Sequence, residues 1–191
     1  MQRINQQDWE DWPTNPDDPN LFCLSAHVLP EPRKQRRFWE FVLLTFETLF
    51  EQGLLAEVDC QMRASVLLSL LSDEALQEIS QRPSAEINQA LASEEAYSLL
   101  LEQYGFTIQD FMESARSQVA KIQPTSNAYL DHYYASQCSL ETAWKTWREN
   151  GMLASAFQWR KNGVEWLTDG FVAILLAAGY QRLIILLDEF E

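Results

Sequence analysis

The chain has 191 residues, of which 47% are hydrophobic and 12% aromatic, with only 6 Gly and 7 Pro. This composition excludes a collagen, a disulfide-stapled mini-protein and a disordered tail, and its scarcity of turn formers favours helices. The formal charge is −14, because 28 Asp and Glu stand against 14 Lys and Arg. A protein of this charge repels phosphate backbones and anionic lipids, so we expect no direct nucleic-acid binding and no membrane association.

The cysteines and the N-terminus predict a cytoplasmic protein. Cys23, Cys60 and Cys138 are odd in number, far apart and in no C-x-x-C spacing, which indicates neither a disulfide framework nor a zinc site. We interpret the first two as core residues, whereas the polar residues before Cys138 leave its exposure open. Acidic residues precede the first apolar stretch, a pattern that is wrong for a secretory signal. The apolar stretch 171–187 is broken by a tetrad that includes Arg182, so we assign it to a protein core rather than to a membrane span.

The start of the chain predicts an arm followed by a strand. Residues 1–20 are polar, acidic and punctuated by Pro, which is typical of an arm or loop. The next run, 21–28, is apolar, is bounded by Pro19 and Pro30, and has the length of a buried strand. We therefore assign residues 21–191 to a single α/β domain.

A helical region is predicted from 34 to 178. In its first helix, apolar residues from Phe38 to Phe50 recur at helical spacing, and Gly53 supplies the stop. Thr107 with Asp110 three residues later resembles a capping box. The other predicted helix starts are marked by Ser72, Pro83, Ser93 and Ser139, and the final predicted helix, 164–178, is ended by Gly179.

The end of the chain carries the most informative pattern. Five consecutive aliphatic residues, 183–187, predict a strand that is buried on both faces, as in a parallel sheet. Asp188 and Glu189 follow directly, at the end where an open α/β sheet places its ligand. This is the Walker B pattern of P-loop NTPases, in which the first carboxylate holds the magnesium shell and the second polarises the attacking water. Asp188 would then bind the cofactor through magnesium, by way of water, and Glu189 would be the catalytic base.

The context of this motif resembles the AAA-like ATP-binding proteins of bacterial BREX-type phage-defence systems. The resemblance covers about 164–191 and lies in the order of a helix, Gly179-Tyr180, the strand and the acidic pair. It implies an α/β fold that is predominantly helical, with a partial P-loop NTPase-like parallel sheet and a large helical insertion between strands 21–28 and 183–187. It implies ATP and magnesium as cofactors, and other protein subunits or the remainder of a longer chain as partners.

The phosphate-binding half of such a site does not occur in the sequence. No G-x-x-x-x-G-K-[ST] motif is present, so the chain offers no loop of backbone N–H groups for the β- and γ-phosphates. We therefore expect an ATP-binding module that contributes only the Walker B half, as a piece of a longer NTPase or a degenerate relative. Whether it is an enzyme stays open, because ATPase activity would need a P-loop outside this chain.

The alternative is a non-enzymatic acidic helical protein that binds a basic partner, in one form as a mimic of nucleic-acid charge. A mimic would gather its carboxylates on one face, whereas here they are spread among caps and helix exteriors. His27 and His132 have no second His at ligand spacing, and 33–37 is the one basic cluster. Four tryptophans are expected in the core rather than on a base-stacking platform: Trp144, Trp147, Trp159 and Trp166.

Overall fold

The computed structural model describes residues 23–28, 38–125, 127–149 and 159–187. Its elements are β1 (Cys23–Val28), α1 (Phe38–Glu51), α2 (Leu54–Leu70), α3 (Asp73–Ser80), α4 (Ser84–Ala92), α5 (Glu94–Gln103), α6 (Ile108–Ile122), α7 (Ala128–Ala135), α8 (Leu140–Glu149), α9 (Trp159–Glu165), a π-helix (Trp166–Phe171), α10 (Val172–Ala177) and β2 (Arg182–Leu187). The predicted arm, 1–20, lies outside these ranges. Within them, no helix combines the length and the hydropathy that a membrane span requires.

The two strands pair in parallel, as expected for the two predicted segments. Cys23 lies opposite Arg182 and Val28 opposite Leu187. No further strand joins this pair within the described ranges. The expected α/β fold with a partial P-loop NTPase-like sheet is therefore wrong, and the described chain is predominantly helical. The physical reason is that two strands of six residues each cannot form a core layer, so the helices supply most of the buried side chains.

The aliphatic strand β2 is less buried than the sequence predicts. Leu183, Ile184 and Ile185 are only partly buried. A strand at the centre of a layered parallel sheet is covered on both faces by crossover helices. The run of aliphatic residues in β2 therefore does not mark such a sheet, and the helices between the strands are the body of the domain rather than an insertion into it.

Helix boundaries follow the capping residues that the sequence predicted. Ser72 and Ser93 each accept a hydrogen bond from the backbone N–H three residues further on. In the predicted capping box, the N–H of Thr107 donates to the Asp110 carboxylate at 2.8 Å and the N–H of Asp110 donates to the Thr107 hydroxyl at 3.3 Å. Gly53 has a φ of 72° and separates α1 from α2, in the left-handed region where glycine meets no Cβ penalty. Local sequence thus decides where these helices begin and end.

The centre of the core is an aromatic cluster contributed by α1, α7, α8 and the π-helix. Its rings are Phe46, Tyr129, Trp144, Trp147, Trp166 and Phe171, and each is at most 2% exposed. The ring centroid of Phe46 lies 4.8 Å from that of Phe171 and 5.7 Å from that of Trp166. Offset and edge-on ring pairs stabilise a core by about 0.5–1.5 kcal/mol beyond their buried area. The prediction that tryptophans lie in the core is confirmed for three of them, and the side chain of Trp159 lies outside the described residues.

The predicted final helix, 164–178, contains the π-helix. Gly170 lies inside it, beneath the indole of Trp166. A Cβ added at Gly170 would lie 2.6 Å from Cζ3 of Trp166 and 2.9 Å from Nδ2 of Asn127. Glycine is required here because any larger residue would displace the indole from the aromatic cluster.

Replacing Gly170 by Ala should lower the free energy of unfolding by about 1–3 kcal/mol, because the added methyl overpacks the indole. The sign is informative, since Gly to Ala inside an unobstructed helix stabilises by about 1 kcal/mol. Urea unfolding followed by tryptophan fluorescence measures the change.

Gly105→Ala is the control for this experiment. Nothing lies within 4 Å of its added Cβ, and only a φ of +80° opposes the substitution, at a cost of about 1–2 kcal/mol. In a Trp166→Leu background, the stability loss caused by Gly170→Ala should be smaller than in the wild type, whereas the loss caused by Gly105→Ala should be unchanged. A Gly170→Ala variant at least as stable as the wild type would contradict the packing described above.

Candidate functional site

The predicted catalytic residue Glu189 and the predicted magnesium-binding residue Asp188 lie outside the described residues, directly after the end of β2. The basic cluster 33–37 also lies outside them. Among the described residues, no group of three or more His, Cys, Asp or Glu is arranged to hold a metal ion. The roles of Asp188 and Glu189 toward ATP and magnesium therefore stay predictions, and no catalytic step is derived from the described residues.

The dipeptide Gly179-Tyr180, which carried part of the family resemblance, has a structural role. Gly179 has a φ of 93° and ends α10. Tyr180 is 5% exposed, and its hydroxyl lies 3.4 Å from a carboxylate oxygen of Glu57 on α2. A helix stop followed by a buried anchor accounts for both residues without a nucleotide.

Of the other single residues that the sequence singled out, His132, Cys60 and Cys138 pack within the described structure, whereas the side chains of Cys23 and His27 lie outside what it describes. His132 is partly buried, with its ring 6.4 Å from that of Trp147. Cys60 is partly buried, and its Sγ donates a hydrogen bond to the carbonyl of Leu91. Cys138, whose exposure the sequence left open, is 1% exposed. Burial raises the pKa of Cys138 to about 12, so the thiol carries almost no nucleophilic thiolate at neutral pH.

Helix α2 carries two charged side chains into the interior, and the first of them holds α8. Asp59 and Arg63 lie one turn apart and are 2% and 7% exposed. The Asp59 carboxylate accepts hydrogen bonds from the N–H of Leu140 at 2.7 Å, the N–H of Glu141 at 3.1 Å and the hydroxyl of Ser139 at 2.9 Å. It therefore caps the N-terminus of α8, where free N–H groups and the helix dipole favour an anion.

The second charged side chain, Arg63, holds α4 and α5. Its Nη1 donates a hydrogen bond of 2.7 Å to the carbonyl of Leu91, near the end of α4. The hydroxyl of Tyr97 on α5 donates to the carbonyl of Arg63 at 3.0 Å. A carbonyl at the C-terminal end of a helix lacks an intrahelical partner, and a cation is the favourable partner for it. Helix α2 thus anchors α8 on one side and the α4–α5 pair on the other.

The helices that Arg63 anchors belong to an acidic stretch of the chain, residues 73–113, which we name the acidic segment. Its carboxylates are Asp73, Glu74, Glu78, Glu86, Glu94, Glu95, Glu102, Asp110 and Glu113. Seven of them are exposed, and Glu94 and Asp110 are partly buried. Arg82 is the single basic residue of the segment, and it pairs with Glu78 at 3.1 Å and Glu86 at 3.5 Å.

Two depressions open on the acidic segment and share the side chain of Leu99 as a wall. The larger, about 560 Å³, is lined by Glu94, Glu95, Ser98, Leu99, Ile108 and Gln137. The smaller, about 230 Å³, includes Arg82, Glu86, Ile87, Ala90 and Leu99 in its lining. Leu99 is 58% exposed. We name Leu99 and the two depressions beside it the Leu99 surface.

The buried charges of α2 position both sides of the larger depression. Gln137, on one side, lies in the turn between α7 and α8 and has a φ of 56°. This left-handed turn leads directly into Ser139, whose hydroxyl donates to Asp59. Glu94 and Glu95, on the other side, begin the helix that follows the Leu91 carbonyl bound by Arg63.

Sequence reasoning missed this surface, although one signal for it was available. Residues 99–101 are three consecutive leucines on a helix, and consecutive residues on a helix point about 100° apart. Leu100 and Leu101 are buried. Three adjacent leucines span about 200° of the helix surface, which favours the exposure of one of them.

Replacing Asp59 by Asn should lower the free energy of unfolding by about 2–4 kcal/mol. The amide N–H₂ cannot accept the hydrogen bonds that one oxygen of Asp59 receives from Ser139 and Glu141. Urea unfolding measures the loss. Glu165→Gln, which neutralises an exposed carboxylate, is the matched control and should change stability by about 0.5 kcal/mol at most.

Wild type and Asp59→Asn also test the protonation of Asp59. Burial raises the pKa of Asp59 from its ordinary value of 3.8 to about 6, against the opposing hydrogen bonds from α8 and the charge of Arg63. The folded state therefore holds a proton that the unfolded chain has released, so the stability that Asp59 contributes is complete below pH 4 and is lost as pH rises through 6.

Between pH 5 and pH 7 that loss amounts to about 1 kcal/mol. The stability gap between wild type and Asp59→Asn should accordingly be narrower at pH 7 than at pH 5, and both values lie above the sequence pI of ≈ 4.5. A gap that stays constant or widens over this interval would show that the pKa of Asp59 is not raised.

In comparisons with protein families, curated proteins and solved structures, nothing matches the chain. The resemblance to P-loop and BREX-type proteins gains no support from them. The Leu99 surface is accordingly defined by its own contacts and charges.

Proposed function

We propose that this chain is a non-enzymatic interaction protein that binds a basic partner through the acidic segment. The observation that carries the proposal is the charge of that segment, in which nine carboxylates stand against Arg82 alone. Seven of these carboxylates are exposed. A surface of one charge sign attracts a partner of opposite charge and speeds its association.

The fold gathers carboxylates that are spread along the sequence. The guanidinium of Arg82 donates to the side chain of Gln103 at 3.0 Å. The hydroxyl of Tyr104 lies 3.4 Å from the carboxylate of Glu78. The C-terminal ends of α3 and α5 are therefore adjacent, and Glu102 lies in the same region. Carboxylates of α3 and α5 are thus brought together, which supports a charge-based interaction surface.

The Leu99 surface adds an apolar contact to the charge. Long-range attraction alone gives fast but weak and salt-sensitive binding, because exposed ion pairs contribute only about 0.2–1 kcal/mol each. An exposed leucine between two depressions offers apolar area that is buried on binding. The combination favours a protein partner rich in Lys and Arg over a small cation.

The ATP-binding hypothesis stays a prediction. It depends on Asp188 and Glu189, with ATP and magnesium as cofactors and a P-loop from another chain or from the rest of a longer one. The predicted α/β fold that supported this hypothesis is wrong, so we do not adopt ATP binding as the function. We place the interaction protein in the cytoplasm, which the lack of disulfide or zinc spacing among its cysteines favours.

A fluorescently labelled lysine-rich peptide of about 15 residues tests the proposal by fluorescence anisotropy. We expect binding at low ionic strength that weakens steeply as NaCl rises towards 0.3 M, because the Debye length shrinks below about 10 Å. The double variant Glu95→Gln/Glu102→Gln should weaken binding by about five-fold, which corresponds to two exposed ion pairs. A glutamate-rich peptide of equal length should not bind.

The control variant is Glu149→Gln/Glu165→Gln, which removes the same charge from exposed positions outside the acidic segment. It should leave the affinity within about two-fold of wild type. Equal weakening by both double variants would mean that the peptide responds to the net charge of the protein alone. The proposal that the acidic segment is the binding surface would then be wrong.

A further inference from the structure

We propose that the element bound at the Leu99 surface is an amphipathic basic helix of a partner protein, with apolar side chains in the two depressions on either side of Leu99. This inference rests on the proposed function. It adds the secondary structure of the partner's binding element to the charge already proposed for that partner. It follows from the shape of the surface, from the elements that build it and from the placement of its carboxylates.

The shape of the surface is a single apolar projection between two hollows. Leu99 is 58% exposed and lines both depressions. Ile108 contributes apolar area to the larger hollow, and Ile87 and Ala90 contribute to the smaller. In helix packing, a projecting side chain of one helix fits between residues i, i+3, i+4 and i+7 of the other. Leu99 has the form of such a projection, and the hollows accept the side chains that flank it.

The elements around Leu99 exclude strand addition as the binding mode. A partner strand needs the free N–H and C=O groups of a sheet edge. The residues that line the two depressions belong to helices α4, α5 and α6, to residues 81–83 between α3 and α4, and to the turn between α7 and α8. None of these residues belongs to a strand, so the surface offers no sheet edge and recognition relies on side chains. A helix laid across the surface meets this condition.

Carboxylates border both hollows. Glu94 and Glu95 line the larger one and Glu86 lines the smaller. The side chain of Glu86 is 59% exposed. Arg82 also lines the smaller hollow, but its guanidinium already bonds to Glu78 at 3.1 Å. Lys and Arg residues on the flanks of the bound helix therefore have their strongest partners at the larger hollow, beside the N-terminus of α5.

The carboxylates that border the two depressions also favour one kind of binding partner over others. A second copy of this chain would bring another acidic segment against the first, and like charges placed face to face oppose association. An anionic lipid surface is repelled by the same carboxylates. A basic helix is the occupant whose charge and apolar face both complement the Leu99 surface.

The test uses the full chain and two synthetic peptides of 18 residues made only of Leu and Lys. One peptide places its leucines at i, i+3, i+4 and i+7, and the other has the same composition in an order that forms no apolar face. Titration calorimetry at 0.15 M NaCl should show the amphipathic peptide binding about ten-fold more tightly than the scrambled one. Leu99→Gln should reduce the affinity for the amphipathic peptide about ten-fold and leave the scrambled peptide nearly unaffected.

The matched control is Leu176→Gln, which removes another exposed leucine, 43% exposed on α10. It should leave both affinities within about two-fold of wild type. Circular dichroism and urea unfolding verify that both variants stay folded, as expected for exposed side chains.

The outcomes separate this inference from the proposed function. One outcome is that both peptides bind equally and Leu99→Gln has no effect, while Glu95→Gln/Glu102→Gln still weakens binding. The proposal of an amphipathic helix is then wrong, and the proposal of a basic partner is retained. If neither peptide binds, both proposals are wrong. Sedimentation velocity adds one further outcome, since self-association that Leu99→Gln abolishes would assign the surface to a second copy and overturn the inference.

Discussion

Helix α2 has to place the charge of Asp59 inside the molecule, and the positions of its neighbours depend on how it does so. Taking an ionised carboxylate out of water costs several kcal/mol. Here three hydrogen bonds at the N-terminus of α8 and Arg63 one turn away offset part of this cost, and the pKa of Asp59 stays raised. Arg63 in turn needs the Leu91 carbonyl at the end of α4. The rotation of α2 about its axis therefore fixes α8 and α4 together, since turning the helix would leave one of the two charges buried without a partner.

The two sides of α2 differ in the forces that hold them. On one side, α1, α7, α8 and the π-helix pack aromatic rings around Phe46. The packing is so tight that Gly170 has no room for a side chain beneath Trp166. On the other side, α4 and α5 are held by the polar contacts of Arg63 and Tyr97 together with the apolar burial of Leu91, Leu100 and Leu101. Helix α2 thus connects the acidic segment to the helices that carry the aromatic cluster. Rigid support for exposed binding residues reduces the ordering cost of association.

The negative charge of the acidic segment carries an energetic cost of its own. Like charges on neighbouring helices repel, and Arg82 relieves only Glu78 and Glu86. The side chain of Leu99, in the same segment, exposes apolar area to water. Both features oppose the stability of the isolated chain, and both are relieved when a basic, partly apolar partner covers them. This shared relief connects the charge, the projection and the hollows in one surface.

The sequence by itself determined the local structure of this protein. Helix caps at Ser72, Ser93 and Thr107, the stops at Gly53 and Gly179, and the two strand segments follow from interactions within a few residues, which the sequence displays directly. Only the tertiary structure decided the fold class and the candidate site. An aliphatic run such as 183–187 has the same pattern in a layered parallel sheet and beside a helical core, because the pattern shows neither how deeply the fold buries the strand nor what covers it. Asp59, Leu91 and Ser139 are likewise far apart in sequence, and their contacts exist only once α2 brings the helix ends together.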